Sequence, residues 1–484
     1  MGRGRRGRGV ERGNTIQRKG TKAAMRASLP ARTWWALALV ASLCLGHSAA
    51  LAEQAAAEKT APSAGPSAPV EPTGPVTLQD AIRIAKQNHG SVVVAREAVA
   101  VAQGRVTEAR AGTLPNVSGD VTFQGRGSSL VNRGNGALGR SGTTWDPRPL
   151  PRLSVNYTLY DGGQTAAGVR QARAGVAESQ AGEQATLRNL ALTVASSFVA
   201  QLRAESLLDL RQAQEKLAQE QLDRVEARIS AGSAAEADRA LPLSEVRSAQ
   251  VARIQAENDA KVAATALRNA MGLPVGPPLK LVQPAGITGT LPSQNELMAE
   301  AEKMRPELQQ ARARVASAAA GLTLAKLRRY PLLDVTAAYQ ATPSDPTQRA
   351  SWAIGLGISM PIWDANVTRA REEEARAQLV SATADMEQTR KDIAAEVEQA
   401  YLNLVSARER LGAATAAADA AKVNLDATSA RYERGVAGVS VVDLFAAQVQ
   451  YDTANVDAIQ AQYDVLLAQA QLDRAVGRMA GTGQ

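Results

Sequence analysis

The sequence predicts a mainly α-helical chain built as a tandem repeat, with a small membrane β part of four strands. Three observations predict it. Four short segments alternate strictly with a two-residue period, apolar on one side and polar or small on the other. The second and fourth of these run into very long Ala-, Gln-, Glu- and Arg-rich stretches with helical spacing. The whole succession then occurs twice.

The charge of +8 sits almost entirely at the start of the chain. Residues 1–52 hold ten Lys and Arg against one acid, Glu11, leaving the remainder near −1, so the high pI is no argument for nucleic-acid binding. A basic lead, the apolar run Trp34–Gly46 and the small residues around Ala50-Leu51-Ala52 read as an export signal cut after Ala52. Met25 begins a signal of ordinary length, and translation is expected to start there. Cys44, the single cysteine, follows Leu43 rather than a small residue, so a lipidated start is not expected. The mature chain is then free of cysteine and of thiol chemistry. No later stretch reaches the roughly eighteen apolar residues of a membrane helix.

Glu53–Pro75 is rich in Ala, Pro, Ser and Gly and reads as a flexible tether. The first repeat spans 76–274. Thr77 caps an expected helix to Ala111, which Leu114-Pro115 ends. Residues 117–124 form the first strand, with Val117, Gly119, Val121 and Phe123 on one face. After a Gly-, Asn- and Pro-rich loop to Pro151, the strand 153–160 sets Leu153, Val155, Tyr157 and Leu159 against Ser154, Asn156 and Thr158. Asp161-Gly162-Gly163 turns it into a helix from Gln164 to about Ala231, whose Leu187, Leu190, Val194, Phe198 and Leu202 recur at steps of three and four. At 1.5 Å per residue such a helix reaches roughly 100 Å. Gly232 stops it, Ser233–Asp238 turns, and a helix about half as long ends at Gly272-Leu273-Pro274. Pro242 falls in that helix's first turn, where it is tolerated.

The linker 275–293 precedes the second repeat, 294–478, and 479–484 form a tail. Leu297–Arg329 is an expected helix, followed by strands at 333–340 and 352–362. Ile354, Leu356, Ile358 and Met360 alternate with Gly355, Gly357 and Ser359 before Trp363-Asp364. Pro331 matches Pro115, Trp363-Asp364 matches Tyr160-Asp161, Gly435 matches Gly232 and Gly477 matches Gly272. The length differences fall in turns, where a repeat tolerates them. Four strands cannot close a useful barrel, and an open edge in lipid costs several kcal/mol per unpaired group. Other copies of the chain must complete the sheet, and the helices, too polar for lipid, must project from it.

This ordered set resembles the TolC family of outer-membrane efflux proteins over Val76–Arg478. The residues that carry it are the elbows at 159–163 and 361–364, the turns Ala227–Asp238 and Arg431–Asp443, and the repeat ends Leu267–Pro274 and Leu472–Gly477. The resemblance implies a long α-helical barrel continuous with a twelve-stranded β-barrel, made by a homotrimer in the outer membrane with its helices in the periplasm. It implies passive export and no catalysis. It also implies a periplasmic adaptor (membrane fusion protein) and an inner-membrane pump of RND or ABC type as partners, in tripartite efflux or type I secretion. In such proteins hydrogen bonds and acids near the second turn close the tip. Tyr432 and Asp443 occupy those places, with Asp238 the counterpart in the first turn and Gly232 and Gly435 at the adaptor-contact turns. The family's basic partner and second acid fall on Ala437 and Ala446, and Arg434 stands nearby.

Plainer readings stand beside these. Asp443 and Asp238 suit helix N-caps, and Tyr432 suits packing. Trp352 and Trp363 read as lipid-interface residues, His89 as a surface residue, and Glu372–Glu374 as a solvated helical face. No nucleophile motif, phosphate loop or metal-ligand spacing is present, so no cofactor, metal or enzyme activity is expected. The alternative architecture is a periplasmic coiled-coil scaffold or adaptor, which leaves the strands unexplained.

Overall fold

The computed structural model describes residues 71–479, apart from 73, 125–147, 234, 285–290, 342–349 and 435–438. The expected signal with Ala52, most of the tether, the two hairpin loops, Gly435 and Ala437 lie outside the described residues. The first repeat runs α1 (Leu78–Asn88), α2 (Gly90–Ala111), β1 (Asn116–Gln124), β2 (Arg148–Tyr160), α3 (Gln164–Ser230) and α4 (Ala240–Ala270). The second runs α5 (Gln294–Met304), α6 (Pro306–Leu327), β3 (Leu332–Ala341), β4 (Ala350–Ser359), α7 (Val367–Glu433) and α8 (Val441–Val476). Both long helices have 67 residues.

Each helix expected to open a repeat is in fact two. The first breaks at His89 and the second at Arg305, both in extended backbone. Pro306 forces the second break, because it lacks an N–H and disfavours helical backbone at the residue before it. At the first, the His89 ring replaces the missing turn: Nδ1 accepts from Ser91 N at 3.2 Å. His89 is therefore a half-buried cap rather than a surface residue. A tertiary contact presses on each break. Gly272 and Gly477, left-handed at the ends of α4 and α8, lie against the carbonyls of Asn88 and Met304. A Cβ on either would sit 2.9 Å from the carbonyl carbon, so both a positive φ and a close approach demand glycine there.

The hydrophobic core lies at this level, once per repeat. Val194, Phe198, Leu267, Met271, Ala81 and Ala85 form one cluster with their neighbours. Val397, Leu404, Leu472, Val476, Leu297 and Ala301 form the other, largely at the matching positions. Each fully buried Val or Leu stabilises by roughly 1.5–3 kcal/mol, which is what pins short helices α1 and α5 to the long ones. On the sheet side of this equator the helices pack in the order α2–α3–α6–α7; on the far side the order is α4–α3–α8–α7. Both levels thus present four helices abreast. Ala375, Ala418 and Ala421 are buried along α7 away from the core, and their small side chains allow close helix approach.

The four strands form one antiparallel sheet in the order β1-β2-β3-β4. β4 stops at Ser359, short of the expected Ile362, because Pro361 has no N–H for the ladder. β2 begins at Arg148, inside what read as loop. Its Pro149 and Pro151 pair with β1 alone, past Arg152–Gln340, the last pair between β2 and β3.

Candidate functional site

The register settles which residues share a sheet face. Val117, Val121 and Phe123 lie in rows with Val155, Pro151 and Pro149. Val155 and Tyr157 continue to Ala337 and Val335, and these to Ile354 and Leu356. Tyr339 stands beside Trp352 at one end and Leu333 beside Ile358 at the other. One face is therefore apolar across all four strands. The opposite face carries Ser118, Asp120, Thr122, Arg152, Ser154, Asn156, Thr158, Asp334 and Thr336, with nothing larger than serine on β4. Its side chains bond one another: Ser118 and Ser154 at 2.8 Å, Thr158 donating to Asp334 at 2.9 Å. Phe123, Leu356 and Ile358 are all exposed, and among the described residues β1 and β4 have unpaired outer edges. Such a sheet is wet on one side and greasy on the other, and it is unfinished at both ends.

Each elbow passes the chain from sheet to long helix by the same device. Asp161 accepts from Gly163 N at 2.8 Å and Thr165 N at 2.5 Å. Asp364 accepts from Thr368 N at 2.8 Å and from the Thr368 hydroxyl. The carboxylate thus satisfies amide groups that the first helical turn leaves open. Between aspartate and helix the backbone is left-handed for two residues, Gly162-Gly163 in one elbow and Ala365-Asn366 in the other. A β-bulge after Thr158 places Tyr160, not Leu159, opposite Leu333. Trp363 and Ile362 protrude from the second elbow, 87% and 92% exposed.

At the far end of the helices, Gly232 reverses the chain with φ +72°. Asp238 Oδ2 accepts from Ala235 N at 3.1 Å. Asp443 sits three residues after the N-cap of α8 and closes a reciprocal box: Asp443 N donates to Ser440 Oγ, and Ser440 N donates to Asp443 Oδ2 at 2.8 Å. The Ser440 N–H foremost, and then the Ser440 hydroxyl, donate to the Asp443 carboxylate and hold it below its ordinary range. Tyr432 is brought to a residue that the sequence reading passed over. Arg228 Nη1 donates to the Tyr432 hydroxyl at 3.0 Å, and the guanidinium carbon lies 5.6 Å from the ring centre. Arg224 and Glu433 are 3.7 Å apart beside it. These contacts tie α3 to α7 across the tip. Arg228 matches Arg431 when the two turns are superposed, and that alignment was the signal available. Neither Asp238 nor Asp443 joins Tyr432 in these contacts.

The equator holds a charged cluster that no local pattern announces. Arg305, 3% exposed, donates to Glu396 and to the Arg474 carbonyl at 3.0 Å. Arg474 also donates to Glu396 and, at 3.1 Å, to Asn189 Oδ1. Arg478 grips Glu300 with two bonds of 2.8 and 2.5 Å. Among the described residues no group of His, Cys, Asp or Glu is placed to hold a metal ion, and no helix is long and apolar enough to cross a membrane.

Comparison with known proteins gives this geometry its context. The outer membrane efflux protein family model matches residues 81–273 and 297–478, one copy on each repeat. The chain belongs to that family. It is 24% identical over 312 residues to outer membrane protein TolC of Escherichia coli K12, covering 61% of this chain and 63% of that one. It is 23% identical over 409 residues to outer membrane efflux protein BepC of Brucella suis, covering 83% and 86%. Among solved structures, CusC superposes with a TM-score of 0.71 at 18% identity, over 87% of this chain and 99% of that one. The outer membrane protein VceC of Vibrio cholerae does so with 0.67 at 19%, over 83% and 96%. The protein is thus an efflux protein of the outer membrane, with the sheet in the lipid and the helices on the periplasmic side. The scaffold reading falls with this, since it has no use for a sheet of that kind.

Proposed function

We propose that three copies close into one tunnel, a twelve-stranded barrel above and a helical barrel below, through which substrates pass without chemistry. The observation that carries this is the sheet: apolar on one face, polar on the other, with two unpaired edges, and joined by tight elbows to helices of 67 residues. Neighbouring copies would pair β4 with β1 and remove both edges. Four helices abreast at each level supply the same multiple in the periplasm. The partners are a periplasmic adaptor and an inner-membrane pump, of RND or ABC type, and the turns around Gly232 and Gly435 are the adaptor-contact surface.

The tip is the gate. Tyr432 works through Arg228, whose bond and stacking hold α7 against α3. Asp443 and Asp238 shape the entrance by capping the returning helices. Conductance in planar bilayers tests the reading. Arg228→Ala should raise the open fraction about fivefold, the effect of removing one hydrogen bond worth about 1 kcal/mol. Wild-type gating in that variant would sink the gate assignment, and a purified protein that stays monomeric and forms no pore would sink the tunnel.

A further inference from the structure

We propose that the second elbow is a headgroup site for a zwitterionic phospholipid, a phosphoethanolamine lipid of the periplasmic leaflet. The inference rests on the outer-membrane reading above. Ile362 and Trp363 are large, apolar and almost wholly bare. They follow Trp352, Ile354, Leu356 and Ile358 along the chain, where the greasy face of β4 ends. That level is where hydrocarbon gives way to headgroups, the depth that a tryptophan ring favours.

Beside them opens a hollow of about 510 Å³, lined by Pro361, Arg329, Arg369, Arg376, Glu372 and Glu373 among others. Its charges are mixed. Arg329 bonds Glu372 at 2.6 Å, Arg376 lies 3.4 Å from the same carboxylate, and Arg369 bonds Glu373 at 3.2 Å. The Arg369–Glu373 pair is exposed, so it contributes little by itself and opens easily. Parting it would present a guanidinium to a phosphate and a carboxylate to an ammonium. A headgroup with a phosphate alone would satisfy the arginine and leave the carboxylate facing like charge. The first elbow offers no such match, because Ala166 and Arg170 stand where the second has Arg369 and Glu373. Asp161 there, like Asp364 here, is occupied in capping.

The test uses the full-length protein reconstituted into vesicles of phosphatidylethanolamine, phosphatidylglycerol or an equal mixture, with retained lipid counted by native mass spectrometry. Wild type should keep phosphatidylethanolamine in preference to phosphatidylglycerol. The exposed double variant Arg369→Gln, Glu373→Gln should lose that retention about tenfold, the scale set by a charge-assisted hydrogen bond at each end of the headgroup. Arg170→Gln at the first elbow should leave it unchanged. In a variant whose single tryptophan is Trp363, the others being replaced by Phe, phospholipid brominated high on its chains should quench the fluorescence. Equal retention by the double variant, or phosphatidylglycerol held as well as phosphatidylethanolamine, overturns the site. Unquenched Trp363 overturns it too, by showing that protein rather than lipid covers the elbow. Conductance measured on the same vesicles separates the two readings. A pore without lipid preference removes only this site, whereas no pore and no insertion removes the channel as well.

Discussion

At the equator of the first repeat, Gly272 lies against Asn88 and His89; at that of the second, Gly477 lies against Met304 and Arg305 with almost the same spacing. Around these contacts the chemistry differs. His89, Thr193 and Asn269 stand at the matching places of the first repeat, while their counterparts Arg305, Glu396 and Arg474 form an ionic cluster around the buried Arg305 at the second. Arg268 is buried in the first repeat and bonds the Pro274 and Pro277 carbonyls and Glu71. Its counterpart is Asp473, equally buried and of opposite sign. The lesson is that the two repeats share what sterics demand and diverge in what only needs local neutrality. A Cβ cannot fit where two backbones touch, whereas a buried charge can be replaced by any group whose partners change with it.

The sharpest break in the comparison is Arg305→Ala against His89→Ala. Removing the buried guanidinium leaves Glu396 to Arg474 and Glu307 to Arg474 and Arg188, and should cost roughly 3 kcal/mol, the low end for a broken buried pair because Glu396 is partly exposed. Losing the histidine cap should cost only about 1 kcal/mol. Helical thermal unfolding followed by circular dichroism measures both, and equal losses would show the ionic cluster to be ornamental. Next comes Gly477→Ala, expected to cost roughly 3 kcal/mol from left-handed backbone plus collision with Met304. Gly272→Ala should match it. Gly232→Ala shares the positive φ but meets open space, so about 1 kcal/mol is expected. A Gly477→Ala protein no less stable than Gly232→Ala would refute the close-approach account.

Acidity separates the repeats further. Burial pushes the Asp473 carboxyl up to about 6, against the opposing pull of its bond from Gln469 and the nearby Arg478. The fold thus prefers the neutral acid. That contribution is complete below the ordinary carboxylate range and is lost as pH rises through about 6. Asp473→Asn should therefore gain on the order of 2 kcal/mol relative to wild type between pH 4 and pH 7. Melting temperatures of the two proteins that stay parallel across that range would contradict it. The smallest effect belongs to the elbows. Ala365→Gly relieves a left-handed alanine at φ 52° and should stabilise by less than about 1 kcal/mol, since glycine's extra freedom when unfolded offsets part of the gain. A clear loss would mean the alanine methyl makes a contact that outweighs its backbone strain.

The elements most legible in the sequence were those with a short period. Alternation at 117–124 and 153–158 placed the correct residues on the greasy face, because a strand's two faces follow from parity; at Leu159 the bulge after Thr158 broke that parity and put Tyr160 in its place. Asp161 and Asp364 were visible as elbows, and the threonine four residues after each was the overlooked mark of their capping role. The break at His89 was missed because the residues on both sides suit helices, and what presses on it is Gly272, far along the chain; the break at Arg305 had a local mark, Pro306, that the reading passed over. Arg228 escaped for a related reason: its partner Tyr432 lies on another helix, and nothing near Arg228 in the chain distinguishes it from other surface arginines.

What the sequence by itself determined is the tandem plan, the long helices, the two-faced strands and the family, since periodicity, stops and internal matches are local or self-comparing. Only the tertiary structure decided which strands neighbour one another, which charges meet at the equator, and that Tyr432 answers to Arg228 while Asp443 caps its own helix. Those outcomes depend on pairings between distant segments. A side chain's chemistry limits which partners it accepts, but the packed backbone decides which of them it can reach.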